Sequence, residues 1–247
     1  LVALYQFQIV FGILIAFLSN YIISEFFMLD WRWMLGIEAI PALVFVMMTM
    51  TVPESPRWLL LRRNDENECR RILDIIDSSK TEETILSIKR TQNLVKDNLF
   101  VKQLSVPIFL AFFIAFFNQL SGINFIIYFA PRVFSLAGLS DAVSLLSTAG
   151  VGLINLIFTI LGMVLIDRYG RRSLMKIGSV GYIISLLAIS YAFYESAGGI
   201  AVVFFIFLFI ASHAIGQGAV IWVFLAEIFP NKIRTKGQSF GSGTHWV

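Results

Sequence analysis

Six long apolar stretches constrain this chain more than any other feature. They cover residues 1–24, 33–52, 107–130, 142–166, 174–194 and 200–229, and a seventh has begun by residue 247. A helix needs about 20 mostly apolar residues to cross the hydrocarbon core of a bilayer. Only 14% of the residues are charged, whereas about a quarter are charged in soluble domains. The sequence therefore predicts an all-α membrane protein with six transmembrane helices and the start of a seventh.

The basic residues lie almost entirely on one side of these stretches. Seventeen of the 19 follow the second, fourth or sixth stretch, and only Arg32 and Arg132 lie in the other connections. Connections rich in Lys and Arg stay in the cytosol, which places residue 1 at the cytosolic end of the first span. The pattern predicts a multi-pass protein of a plasma or inner membrane, with the lipid bilayer as a partner. The net charge of +3 is accounted for by topology and indicates no nucleic acid.

Residues 53–106 carry most of the charge and form a separate unit. Their pattern predicts short amphipathic helices in a cytosolic helical domain that links residues 1–52 to residues 107–247. The predicted buried stripe consists of Ile72, Leu73, Ile75, Ile76, Ile85 and Ile88. The single cysteine, Cys69, excludes an internal disulfide and is interpreted as a solvated thiol without a function. Neither it nor the two histidines indicate a metal site or a cofactor.

Four motifs follow one another along the chain. They are Pro53-Glu54-Ser55-Pro56-Arg57-Trp58-Leu59, Asn118-Gln119-Leu120-Ser121-Gly122-Ile123-Asn124, Asp167-Arg168-Tyr169-Gly170-Arg171-Arg172, and Glu227-Ile228-Phe229-Pro230 with Arg234. In this order and spacing, the chain resembles the sugar porter family of the major facilitator superfamily over its whole length. Family members have twelve spans in two halves. The resemblance aligns residues 1–52 with spans five and six, and residues 107–247 with spans seven to ten and the start of eleven. It thus implies a fragment that would not transport by itself.

Four amides lie inside apolar stretches: Asn118, Gln119, Asn124 and Asn155. A buried amide costs free energy unless it is paired, and a sugar hydroxyl both donates and accepts as an amide does. The alternative is that these amides bond between helices. The resemblance implies that positions matching Gln6, Asn118, Gln119, Asn124, Asn155 and Trp222 line the sugar site. It adds Trp246 as a second aromatic residue and His245 at a position that is often polar.

Three residues in or near the predicted sugar site need separate comment: Asn118, Trp222 and His213. Asn118 departs from the usual glutamine of the family, which implies room for a different sugar or for a water. Trp222 offers a flat face to sugar C–H groups, or else it only packs. His213 lies in an apolar run and is interpreted as an interhelical histidine with satisfied hydrogen bonds, outside the site.

Acidic and basic residues meet at the cytosolic ends of the second, fourth and sixth spans. The basic ones also serve the positive-inside rule, to which acidic residues contribute little. The resemblance implies that the set forms a salt-bridge gate that ties the two halves together when the site opens outward. Its members are Glu54, Arg57, Asp167, Arg171, Arg172, Glu227 and Arg234.

The function expected from this resemblance is transport of a monosaccharide, hexose or pentose, by alternating access. A proton is a second partner if the protein is a symporter, but the span that would carry the coupling carboxylate is not in this sequence, so uniport and symport both stay open. A sugar sensor that binds without net transport is the alternative. An enzyme is not expected, because the spans contain no nucleophile arrangement, metal ligands or paired carboxylates.

Overall fold

The structure, a computed structural model, describes residues 2–27, 31–92, 98–196, 198–231 and 233–246. Every regular element within these ranges is a helix, as the sequence predicts. Five helical segments are long and apolar enough to cross a membrane. Leu1 and Val247, which bound the predicted first and seventh spans, and Lys232, one of the cytosolic basic residues, lie outside the described residues.

The first two spans differ in their packing. Helix α1 (Val2–Phe26) is the first span, and it packs along the later membrane helices. The second span consists of α2 (Trp31–Gly36) and α3 (Ala39–Thr49), and neither contains a buried residue. An apolar helix that covers nothing of its own chain needs lipid or another part of the protein around it.

The cytosolic unit is a small bundle with its own core. A helical turn (Pro56–Trp58) and a π-helical turn (Leu59–Arg63) precede α4 (Glu66–Asp77), a 3₁₀ turn (Ser78–Lys80) and α5 (Thr81–Gln92). The Asp65 carboxylate caps α4 by accepting from the backbone N–H of Glu68 at 3.0 Å. The core contains Leu59, Leu60, Cys69, Ile72, Leu73 and Ile85, with Ile88 against it.

Two expectations about this unit are wrong. Ile75 and Ile76 are 72% and 70% exposed, because they lie in the last turn of α4, where the other core residues do not cover them. Cys69 is fully buried rather than solvated, because it shares the packed face of α4 with Ile72 and Leu73. Burial also raises the pKa of the Cys69 thiol, which makes this thiol a poor target for labelling reagents.

The predicted orientation can be tested with cysteines introduced at exposed positions. In a full-length Cys69→Ser protein free of other cysteines, we expect Asn67→Cys to react with a membrane-impermeant maleimide only in inverted vesicles. Ser140→Cys, in the connection before the fourth span, should react in intact cells. Both positions are exposed, so access depends on the membrane and not on packing. The reverse labelling pattern would overturn the orientation.

The third apolar stretch forms a span that is broken near its middle. Helix α6 (Ser105–Leu120) is capped by Ser121, and α7 (Ile123–Leu136) begins after Gly122. Gly122 has φ +82, a left-handed conformation that a glycine adopts at little cost. A short 3₁₀ turn (Lys102–Leu104) leads into α6 from the cytosolic unit. The break lies between the Asn118-Gln119 pair and Asn124 of the predicted sugar motif.

The fourth and fifth spans are the two arms of α8 (Asp141–Tyr194), which Gly170 divides with φ 74 and ψ 161. Gly150 of the first arm lies against Phe207, and Gly162 lies against Ile215 and Ala219, so this arm is parallel to the sixth span. Along the second arm, Gly178 lies against Gly216, and the later Gly181 lies against the earlier Ser212, so this arm is antiparallel to the sixth span. The two arms therefore run in opposite directions, and counting each arm as one span gives the six spans that the sequence predicts.

The sixth span consists of α9 (Ile200–His213), a π-helical turn (Ala214–Gly218) and α10 (Ala219–Glu227). Helix α11 (Arg234–Trp246) follows and packs on α6 and α10. A Cβ on Gly178 would lie 2.6 Å from the Cα of Gly216, so the second arm of α8 touches the π-helical turn backbone to backbone. Small residues allow such crossings in membranes.

Candidate functional site

A cavity of about 260 Å³ lies between α1, α6, α7, α8, α10 and α11. All eight residues predicted to bind sugar line it. They are Gln6, Asn118, Gln119, Asn124, Asn155, Trp222, His245 and Trp246. These residues come from positions up to 240 apart in the chain, in four of the six spans and in α11, so only the packed bundle brings them together. Among the described lining residues, none is Asp, Glu, Lys or Arg.

Trp222 is the aromatic centre of one wall of the cavity. Its Nε1 donates to the Oε1 of Gln6 at 2.8 Å, which joins α10 to α1. Tyr5 and His245 meet the indole edge to face, with ring centroids at 5.5 and 4.9 Å. Trp246 lies nearly parallel to it at 6.5 Å. The indole is therefore held in place, and the Nε2 of Gln6, which makes no hydrogen bond with a described residue, keeps its donors for another partner.

Two amides meet across the break in the third span. The Nδ2 of Asn124 at the start of α7 donates to the Oε1 of Gln119 at the end of α6, at 2.6 Å. Gly122 turns the backbone between them, so the two side chains face each other beside the cavity. The bond uses one donor and one acceptor and leaves the Nε2 of Gln119 and the Oδ1 of Asn124 for a ligand.

The remaining amides of the cavity are more deeply buried. Asn118 is 3% exposed, and its Nδ2 has no hydrogen-bond partner among the described residues. Asn155, on the first arm of α8, is 6% exposed. A buried amide without a partner costs about 1–3 kcal/mol, and a polyol hydroxyl in the cavity would supply the missing acceptor.

A π-helical turn gives the sixth span its irregular shape beside the cavity. Such turns are rare and occur frequently at functional sites. Gln217 of this turn donates through Nε2 to the Oγ of Ser179 at 3.2 Å, on the second arm of α8, and it does not line the cavity. Gly218 does line it, and leaves room next to Gln6.

The sequence prediction missed two polar residues of the cavity, Tyr128 and His213. Tyr128 lies four residues after Asn124, a helical spacing that places both on one face of α7 and could have indicated it. The interpretation of His213 as a satisfied histidine is wrong, because its Nδ1 is buried without a hydrogen-bond partner among the described residues. Its position before the glycines of the sixth span was the available signal.

The structure brings together three of the seven predicted gate residues. Arg171 donates to both carboxylate oxygens of Glu227, from Nε at 2.9 Å and from the terminal nitrogen at 2.7 Å. A second terminal nitrogen lies 3.6 Å from Asp167. This pair joins the connection between the α8 arms to the end of α10, and so lies inside residues 107–247. Four predicted members make no ion pair with another described residue: Glu54, Arg57, Arg172 and Arg234.

The chain is similar to known transporters over its whole length. The family described as sugar (and other) transporter matches residues 1–247. A D-xylose-proton symporter of Escherichia coli is 36% identical over all of this chain and 52% of its own length. A glucose transporter of Staphylococcus epidermidis is 32% identical over 97% of this chain and 54% of its own. This chain thus spans about half the length of the curated relatives that it matches, and these relatives are named as transporters, not enzymes.

Solved structures give the same result for the fold. The Escherichia coli proton:xylose symporter bound to 6-bromo-6-deoxy-D-glucose superposes with a TM-score of 0.77, at 35% identity over 99% of this chain and 53% of that one. A partially occluded inward-open form of the same xylose transporter gives 0.79, at 33% identity over 99% and 55%.

Proposed function

This chain belongs to the sugar porter family of the major facilitator superfamily, and we propose that the full protein carries a monosaccharide across a cell membrane by alternating access. The observation that carries this proposal is the single cavity lined by Gln6, Asn118, Gln119, Asn124 and Asn155 beside Trp222. A neutral polyol suits a cavity of amides without charged side chains, because each hydroxyl can donate to one amide and accept from another. The indole offers an apolar face to sugar C–H groups.

The proposed substrate is a hexose or pentose. A cavity of about 260 Å³ is of the size that a single sugar ring and a few waters fill, at the small end of ligand sites. Relatives named for D-xylose, a pentose, and for glucose, a hexose, support both classes of sugar. A relative named as a proton symporter supports a coupled proton. Facilitated diffusion is the other mode, and the experiment below separates the two.

The experiment is uptake by the full-length protein in proteoliposomes. We expect saturable uptake of D-xylose or D-glucose and no uptake of the L enantiomers, which present the same polarity with the wrong geometry. In the symport mode, an imposed proton gradient drives accumulation above equilibrium, whereas in the facilitator mode it changes nothing. Absence of saturable uptake and of sugar binding by an inserted, folded protein would refute the proposal.

A further inference from the structure

His213 occupies an unusual place for a polar side chain with no role in the predicted site. It is the last residue of α9, it is 7% exposed, and it lines the same cavity as the amides. Apart from Ser212, the residues before it in α9 are apolar, and Phe209, one turn before it, meets the imidazole at a ring distance of 6.3 Å. A phenylalanine would fill such a place without any polar atom to satisfy.

The imidazole faces the gap above Gly218. A Cβ on Gly218 would lie 3.7 Å from the Cδ2 of His213 and 3.7 Å from the Nε2 of Gln6. These two groups therefore border one gap, which exists because Gly218 has no side chain. Gln6 contributes free donors there, since its Oε1 is already bound to Trp222. In His213, Cδ2 is bonded to Nε2, so Nε2 belongs to the ring edge that borders the gap.

Neither ring nitrogen of this imidazole makes a hydrogen bond with another described residue. The Nδ1 is buried on the far edge of the ring, whereas Nε2 lies on the edge that borders the gap. A neutral imidazole carries one donor and one acceptor, so its Nε2 can bond a ligand hydroxyl there. A sugar hydroxyl next to the free amide of Gln6 could accept from one group and donate to the other.

We propose that His213 is a sugar-contacting residue that helps to set specificity by hydrogen bonding one hydroxyl of the bound monosaccharide beside Gln6 and Gly218. The inference rests on the proposed sugar transport and names a further residue of that same site. Because an imidazole is rigid and directional, it distinguishes a sugar that has this hydroxyl from one that lacks it, as sites built to bond a hydroxyl do.

The test measures sugar affinity of the purified full-length protein. The probes are D-glucose and D-xylose, and for the tighter binder its monodeoxy analogues, each lacking one hydroxyl. The variants are His213→Phe, which keeps a flat ring of similar size, His213→Leu as a second apolar replacement, and His213→Asn, which keeps a donor and an acceptor. Gln119→Ala serves as the reference for the amide part of the site.

We expect the apolar variants to bind the parent sugar about tenfold more weakly. In the unmodified protein, one analogue should bind about tenfold more weakly than the parent sugar. In the apolar variants, this analogue and the parent sugar should have equal affinities, whereas the other analogues should still bind more weakly than the parent sugar. His213→Asn should restore part of the discrimination. Apolar variants that lose affinity for every analogue equally, or for none, would overturn the inference and reduce His213 to packing. If the unmodified protein binds no sugar, the proposed function itself fails. If it binds sugar but the apolar variants show no selective change, only the inference about His213 fails.

Discussion

Replacing Gln119 with alanine lowers the affinity of the full-length protein for its sugar by about five- to a hundredfold. The change removes the Nε2 donor that faces the cavity and also the acceptor of the Asn124 amide. Each stranded polar group costs about 1–3 kcal/mol, and every 1.4 kcal/mol is tenfold in affinity. The effect should appear in equilibrium binding of D-xylose or D-glucose to purified protein.

Asn155→Ala should weaken sugar binding by a similar factor, since its amide reaches the cavity from the first arm of α8. Gln217→Ala is the matched control, because Gln217 is also a buried amide but bonds Ser179 and does not line the cavity. We expect Gln217→Ala to leave sugar affinity within about twofold of the unmodified protein. Unchanged affinity in Gln119→Ala and Asn155→Ala, with normal expression, would place the sugar site elsewhere.

Arg171→Ala and Glu227→Gln slow net transport and favour the inward-open state, while sugar binding and membrane insertion stay largely intact. The pair is bidentate, with 2.7 and 2.9 Å bonds, but its side chains are 33% and 52% exposed. Exposed ion pairs contribute about 0–1 kcal/mol, and bidentate geometry raises the value. A shift of about two- to tenfold in the ratio of the two states is therefore expected.

The readout is alkylation of a cysteine at Ser242, in a full-length Cys69→Ser background. Ser242 lines a separate opening next to Trp222 and Trp246, at the predicted cytosolic side of the cavity. Its alkylation from the cytosolic side should accelerate in both gate variants. Arg172→Ala is the control, because it removes the same charge from the same connection but breaks no ion pair with a described residue. Equal effects of Arg171→Ala and Arg172→Ala would mean that these charges act only on topology.

A carrier needs two states of similar free energy, since one locked in either state does not cycle. We expect the ion pair at the end of α10 to act on that balance from within residues 107–247, by holding the end of α10 against the connection between the α8 arms. Glu227 would then have a role at a position where the positive-inside rule gives an acidic residue none.

Local sequence determined the membrane class and the number of spans. The length of an apolar stretch is readable without tertiary information, because the thickness of the bilayer sets the length a span needs. Where the backbone leaves the helix, at Gly122 and Gly170, follows from the structure, since other glycines of the chain are helical. The family resemblance indicated eight cavity residues that no periodicity could have assembled, and the packed bundle brings all eight to one cavity.

Only the tertiary structure decided which polar groups have partners. His213 and Cys69 were misinterpreted for the same reason: burial depends on what the rest of the chain places against a side chain, and this does not follow from the neighbours in sequence. The same holds for Arg171 and Arg172, adjacent and identical in type, of which only the first reaches Glu227, 56 residues away. Sequence gave each residue its chemistry, and the packing of six spans determined which of these groups a ligand or a partner side chain can satisfy.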